Sequence, residues 1–110
     1  MARKLQIGLF GFGTVGASLY QLLQEHPDPP AEIRHICVKN PDKERSLPKS
    51  RFTFHREDVL GDDSLDLIVE AIDDADEAFS ISKEALERHF DVVTANKKMV
   101  AYHLDELFAL

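Results

Sequence analysis

The stretch Leu5-Gln6-Ile7-Gly8-Leu9-Phe10-Gly11-Phe12-Gly13-Thr14-Val15-Gly16 decides the fold. Its first half is an apolar run of strand length. Four of the chain's five glycines, Gly8, Gly11, Gly13 and Gly16, fall within it. After it, Val15, Leu19, Leu22 and Leu23 recur at i, i+4, i+7 and i+8, one face of a helix. Strand, glycine turn and helix form the context in which G-x-G-x-x-G signals dinucleotide binding. Gly11 makes the tight turn. Gly13 leaves room for a pyrophosphate to approach the backbone, and Gly16 lets the helix pack close to the strand. The first N–H groups of the helix and its positive dipole end then face the phosphates. A glycine-rich loop with no ligand is the competing reading, and the flanking strand and helix argue against it.

The same alternation continues along the chain. Leu5 to Phe10 is nearly all apolar, as a parallel strand covered on both faces should be. Thr14 to about Glu25 is the first helix, ended by His26-Pro27-Asp28-Pro29-Pro30. Ile33 to Val38 reads as the second strand, Asn40 to Arg45 as a polar loop, and Phe52 to Phe54 as a short third strand. Glu57 to Leu60 looks like a helical turn. Leu67 to Val69 is a strong strand running on towards Ile72. Asp73 to about His89 reads as a helix, with Ala78, Ile81, Ala85 and Leu86 on one face and acids in the first turn. Asp91 to Val93 is another strand. From about Lys98 the tail is helical, with Val100, Leu104, Leu107 and Phe108 in register. Strands alternating with helices predict an α/β domain with a doubly wound parallel sheet.

Length and charge bound what such a domain does. One hundred and ten residues predict a single domain. Thirteen Lys and Arg against twenty Asp and Glu give a net charge of −7. No stretch is strongly basic, so nucleic acid is not an expected partner. An acidic protein still binds an anionic cofactor when backbone amides and a few local cations receive it. Cys37 is the one cysteine and sits in an apolar run, as a buried core thiol does. The apolar start, broken by Gln6 and Gly8, is too short for a signal-peptide core or a membrane helix. The expectation is a cytoplasmic protein with no membrane partner. The helical run reaches Leu110 without a cap, which suggests residues 1–110 are one domain of a longer protein.

Other clusters carry weaker signals. Asp73, Asp74, Asp76 and Glu77 lack the glycine and ligand spacing of a calcium loop and read as a solvated helix start. The five histidines show no H-x-x-x-H or Cys-His pairing, so no metal site is expected. No G-x-S-x-G elbow marks a hydrolase.

The segment Val93-Thr94-Ala95-Asn96-Lys97 follows the last strand. With the glycine motif, the Val69-Glu70 pair and His103-Leu104-Asp105-Glu106-Leu107, it resembles the nucleotide-binding domain of homoserine dehydrogenase over essentially the whole chain. The Thr-Ala-Asn-Lys tetrapeptide is far more specific than the glycines. The resemblance implies a Rossmann-type domain joined to a dimerisation and catalytic domain beyond Leu110, hence a homo-oligomer. It also implies interconversion of L-homoserine and L-aspartate 4-semialdehyde with NAD or NADP, on the route to threonine and methionine. Gly11, Phe12, Gly13, Thr14, Val15 and Gly16 would bind the cofactor. Thr94 and Asn96 would lie beside the nicotinamide and Lys97 would be catalytic. The family's other catalytic residues have no counterpart here, so these 110 residues alone are not expected to turn over homoserine. One departure stands out. Many members carry two glycines where this chain has Asp73-Asp74.

Cofactor choice is read at the end of the second strand, where an NAD site places an acid. Here Val38 is followed by Lys39 and Asn40, with Lys43 and Arg45 nearby. Lys39, Asn40 and Arg45 are therefore candidate contacts to a 2′-phosphate, and the expectation leans to NADP. The opposing reading makes this a solvated loop, with Asp42 serving NAD. Two other functions remain open: a cofactor-sensing regulatory module without chemistry, and a related reductase of another amino-acid-derived carbonyl.

Overall fold

Strand β1 (Leu5–Phe10) lies at the centre of a five-stranded, all-parallel sheet. The computed structural model describes residues 4–96, so the expected tail helix and Lys97 lie outside the described residues. Around β1 stand β2 (Ala31–Cys37), β3 (Phe52–Thr53), β4 (Leu67–Glu70) and β5 (Asp91–Thr94), in the order β3-β2-β1-β4-β5. Helices α1 (Thr14–Glu25), α2 (Arg56–Leu60) and α3 (Ala75–Glu87) connect them. This is the Rossmann-type doubly wound sheet. The chain winds outward from β1 in one direction through β2 and β3, then returns to β1's other side for β4 and β5.

Alternation along β1 feeds two cores. Ile7 and Leu9 point to one face, where they meet Ile36, Val38 and Val69, with Leu19, Tyr20 and Leu23 of α1 packed against them. Phe10 points to the other face and joins Val59, Leu60, Ile68, Ile81 and Ala85 beneath α2 and α3. Gly8 shares that second face, and a Cβ there would lie 2.5 Å from Val59 and 2.9 Å from Leu65. A central parallel strand with both faces covered is the reason β1 reads as continuously apolar.

Several element boundaries differ from the sequence reading, most clearly at β2 and α3. Strand β2 begins at Ala31 rather than Ile33, because Ala31 pairs with Leu5 and is buried in the α1-side core. Helix α3 starts at Ala75 rather than Asp73, since Asp74 is its N-cap and accepts the Glu77 N–H at 3.0 Å. The same helix stops at Glu87, two residues short of His89. His89 takes a left-handed φ of 70°, with His89 N–H on the Leu86 carbonyl and Phe90 N–H on the Ala85 carbonyl. That is a Schellman ending, usually built on glycine. Histidine occupies the position here, so the sequence carries no stop signal.

The β1–α1 turn is tight. Gly11 has φ +94°, and a Cβ on it would lie 2.6 Å from the Ala71 carbonyl oxygen. Gly16, one helical turn on, brings its Cα against the Gly11 carbonyl, leaving no space for a side chain. Gly13 is different: a Cβ there meets nothing within 4 Å. Gly11 and Gly16 are thus required by the fold, whereas no contact within the domain holds position 13 to glycine. Gly11→Ala is expected to lower unfolding free energy by about 1–3 kcal/mol, the scale of a strained backbone. Gly13→Ser, which keeps a good N-cap, should change it by less than about 0.5 kcal/mol. Denaturant midpoints of the two variants check this.

Candidate cofactor-binding site

The topological switch between β2 and β4, on either side of β1, opens a crevice at the carboxyl ends of the strands, where open α/β sheets take their ligands. A cavity of about 570 Å³ fills it. Phe10, Ala71 and Ile72 contribute apolar surface, and the backbone of Gly11 to Val15 forms one rim. Helix α1 starts there at Gly13 with no side-chain cap. Its first N–H groups, which no helix can satisfy internally, therefore face the crevice. An uncapped helix start beside a glycine with open space is the arrangement a pyrophosphate needs. Phe12 packs edge-on to Phe52 at 5.2 Å and to Tyr20 at 6.0 Å, which fixes the turn from the protein side.

The loop after β2 forms the opposite wall. Lys39, Asn40, Lys43 and Arg45 line the cavity. Asn40 organises the loop, accepting the Asp42 N–H at 2.9 Å on its side chain and an Arg45 N–H at 2.8 Å on its carbonyl. Arg45 also lies over the Phe52 ring at 5.2 Å. Asp42 is not among the lining residues. Lys39 reaches across to α3, where its ammonium donates to Glu77 at 2.8 Å. That hydrogen bond, with the negative charge behind it, raises the Lys39 pKa and keeps the group cationic.

Thr94 is the last residue of β5 and Asn96 lies in the turn after it, and neither lines the cavity. They join two loops instead. Glu70, fully buried at the end of β4, accepts the Ile72 N–H at 2.6 Å and the Thr94 hydroxyl. The Asn96 side-chain amide donates to the Ile72 carbonyl at 2.7 Å and the Asp73 carbonyl at 3.1 Å. Asp73 and Asp74, which stand where the resemblance implies two glycines, each have a structural place here. Asp74 caps α3, while Asp73 is held by its backbone and lines the cavity.

Sequence reasoning missed Arg56, Phe54 and the Glu77 contact, all of which line the cavity. Arg56 is held by Ser80 at 3.1 Å and Glu84 at 3.2 Å. No local pattern marks these residues, because the fold brings them in from distant segments. Among the described residues there is no group of three or more His, Cys, Asp or Glu that could hold a metal, and no helix long and apolar enough to cross a membrane.

Residues 11–110 match the family of the homoserine dehydrogenase NAD binding domain. Homoserine dehydrogenase of Bacillus subtilis is 33% identical over 97% of this chain, and the chain spans 27% of that protein. The crystal structure of a homoserine dehydrogenase from Thiobacillus denitrificans superposes with a TM-score of 0.85 at 30% identity, covering 97% of this chain and 27% of that one. The Staphylococcus aureus homoserine dehydrogenase at pH 7.0 gives a TM-score of 0.77 at 34% identity, covering 99% and 30%. The chain thus spans little more than a quarter of the relatives it matches.

Cys37 lines the cavity yet belongs to the core beneath α2 and α3, and its burial pushes the thiol pKa up to about 11. Only the thiolate is nucleophilic. Iodoacetamide at pH 8 should therefore leave Cys37 largely unmodified in the folded chain and alkylate it in denaturant. The native rate should keep rising towards pH 11, which mass spectrometry over a pH series checks.

Proposed function

The chain belongs to the homoserine dehydrogenase NAD-binding family, and on that premise we propose that it forms the cofactor half of an NAD(P)-dependent homoserine dehydrogenase. The reaction is the interconversion of L-homoserine and L-aspartate 4-semialdehyde, serving threonine and methionine synthesis in the cytoplasm. The substrate is a small molecule, and the complete enzyme is a homo-oligomer assembled through a further domain. One observation carries the reading. The uncapped start of α1 and the open space at Gly13 face a crevice of dinucleotide size.

Each residue then has a task. The N–H groups at the start of α1 receive the pyrophosphate, and Gly13 admits it to the backbone. When bound, the nicotinamide supplies or accepts the hydride. Glu70, Thr94 and Asn96 act by fixing the Ile72–Asp73 loop and the turn that leads to Lys97. Lys97 stabilises the negative charge that develops on the substrate carbonyl oxygen during reduction. A fixed ammonium favours that charge over the neutral ground state, which is how binding becomes catalysis. Lys39 and Arg45 line the cavity and would receive a ribose 2′-phosphate, and the end of β2 carries no carboxylate to repel it. We therefore assign the preference to NADP(H), with Asn40 shaping the loop that presents both cations.

Three measurements test this. Gly13→Val should abolish cofactor binding by calorimetry without unfolding the domain, and wild-type affinity in that variant would sink the assignment. NADPH should bind more tightly than NADH, with the margin reduced by Lys39→Ala. Tighter NADH binding that Lys39→Ala leaves unmoved would reverse the cofactor choice. In the complete enzyme, Lys97→Ala should lower kcat about a hundredfold or more, the effect of losing one charge-stabilising group. Lys98→Ala is the control of equal charge and should be mild; equal damage from both would remove Lys97 from the chemistry.

A further inference from the structure

Lys39 and Glu77 are thirty-eight positions apart in sequence, yet their charged groups meet at 2.8 Å on the crevice. Both residues line the same cavity, one from the loop after β2 and one from the first turn of α3. The two sides of the pair are unequal. The Lys39 side chain is 82% exposed, whereas that of Glu77 is only 26% exposed. Asp74 caps the backbone N–H of Glu77 at 3.0 Å, so the carboxylate is mounted on a fixed turn. Lysine is the movable arm and glutamate the post that holds it.

We propose that Glu77 is a specificity-determining residue, whose carboxylate competes with a ribose 2′-phosphate for the Lys39 ammonium and so restrains the preference for the phosphorylated cofactor. The proposal rests on the reading of the crevice as the cofactor site. A 2′-phosphate that takes Lys39 must first break its bond to Glu77. Lysine is a compact point charge on a flexible stem, so it can make that exchange. Glu77 cannot follow, and its carboxylate then faces an incoming anion. A cofactor with a plain 2′-hydroxyl brings no charge and leaves the ion pair standing. Discrimination between the two cofactors is a difference of affinities, and a like charge facing one of them lowers that difference. The acid that an NAD site places at the end of β2 is absent here, and α3 supplies a carboxylate from the other wall.

Calorimetric titration of the 110-residue chain with NADPH and with NADH, in wild type, Glu77→Gln, Lys39→Met and the double variant, tests this. Glutamine keeps the size of the side chain and removes its charge. NADPH affinity should rise about fivefold in Glu77→Gln, the scale of an exposed ion pair, with NADH affinity moving less than about twofold. Most of the NADPH gain should vanish when Glu77→Gln is made on Lys39→Met, and it should shrink at high salt. An unmoved NADPH-to-NADH ratio in Glu77→Gln would overturn the proposal while leaving the cofactor site intact. Failure of the wild-type chain to bind either cofactor would overturn both.

Discussion

Gly11 sits at φ +94° with its N–H on the Cys37 carbonyl at 2.9 Å, while one residue earlier the Phe10 carbonyl accepts the Ala71 N–H at 2.8 Å. At this point the chain leaves the sheet and turns back as a helix. The turn is confined from two sides, by the Ala71 carbonyl at Gly11 and by the Gly11 carbonyl at Gly16. Only residues without Cβ pass through such a junction, because a left-handed φ and a carbonyl contact coincide there. The consequences spread outward. The junction sets the start of α1 beside the carboxyl edge of β1, which aims the helix's N–H groups at the crevice. It also seats α1 on the α1-side core through Leu19, Tyr20 and Leu23.

The crevice reconciles an acidic protein with an anionic ligand. A net charge of −7 gives no general attraction for phosphate. Backbone dipoles and a few local cations do the work instead. Arg56 is already paired with Glu84, Lys39 is paired with Glu77, and Arg45 is bound to loop carbonyls. Such pairing holds the cations in place. On the proposed reading, a 2′-phosphate would displace a resident partner at Lys39, an exchange rather than a simple attraction.

The fold was legible because its strongest signals are local. The apolar run of β1, the three spaced glycines and the helical periodicity of α1 each lie within a dozen residues, and the element order follows from repeating that pattern. Boundaries were less legible where tertiary contacts set them. Ala31 joins β2 because Leu5 pairs with it, and His89 ends α3 in a conformation that usually calls for glycine. The site divides in the same way. Gly11, Gly13, Lys39 and Arg45 were visible as motif and loop chemistry. Glu77 and Arg56 were not, because their relevance depends on partners thirty-eight and twenty-eight positions away.

Thr94 and Asn96 lie outside the cavity lining, yet they hold the loop that forms part of its wall. A carboxylate buried without partners is expensive, so Glu70 at full burial requires donors. Ile72 N–H supplies one from the β4 loop and the Thr94 hydroxyl supplies another from the end of β5. The hydroxyl oxygen then accepts the Asn96 N–H at 3.1 Å, and the Asn96 amide returns to the carbonyls of Ile72 and Asp73. The bonds close a ring between two loops that the sheet alone would leave independent. Loss of any member strands a buried polar group, which makes the ring cooperative. The turn before Lys97 is therefore positioned by β4 as much as by β5, and the apolar Ile72 wall of the crevice shares the same support.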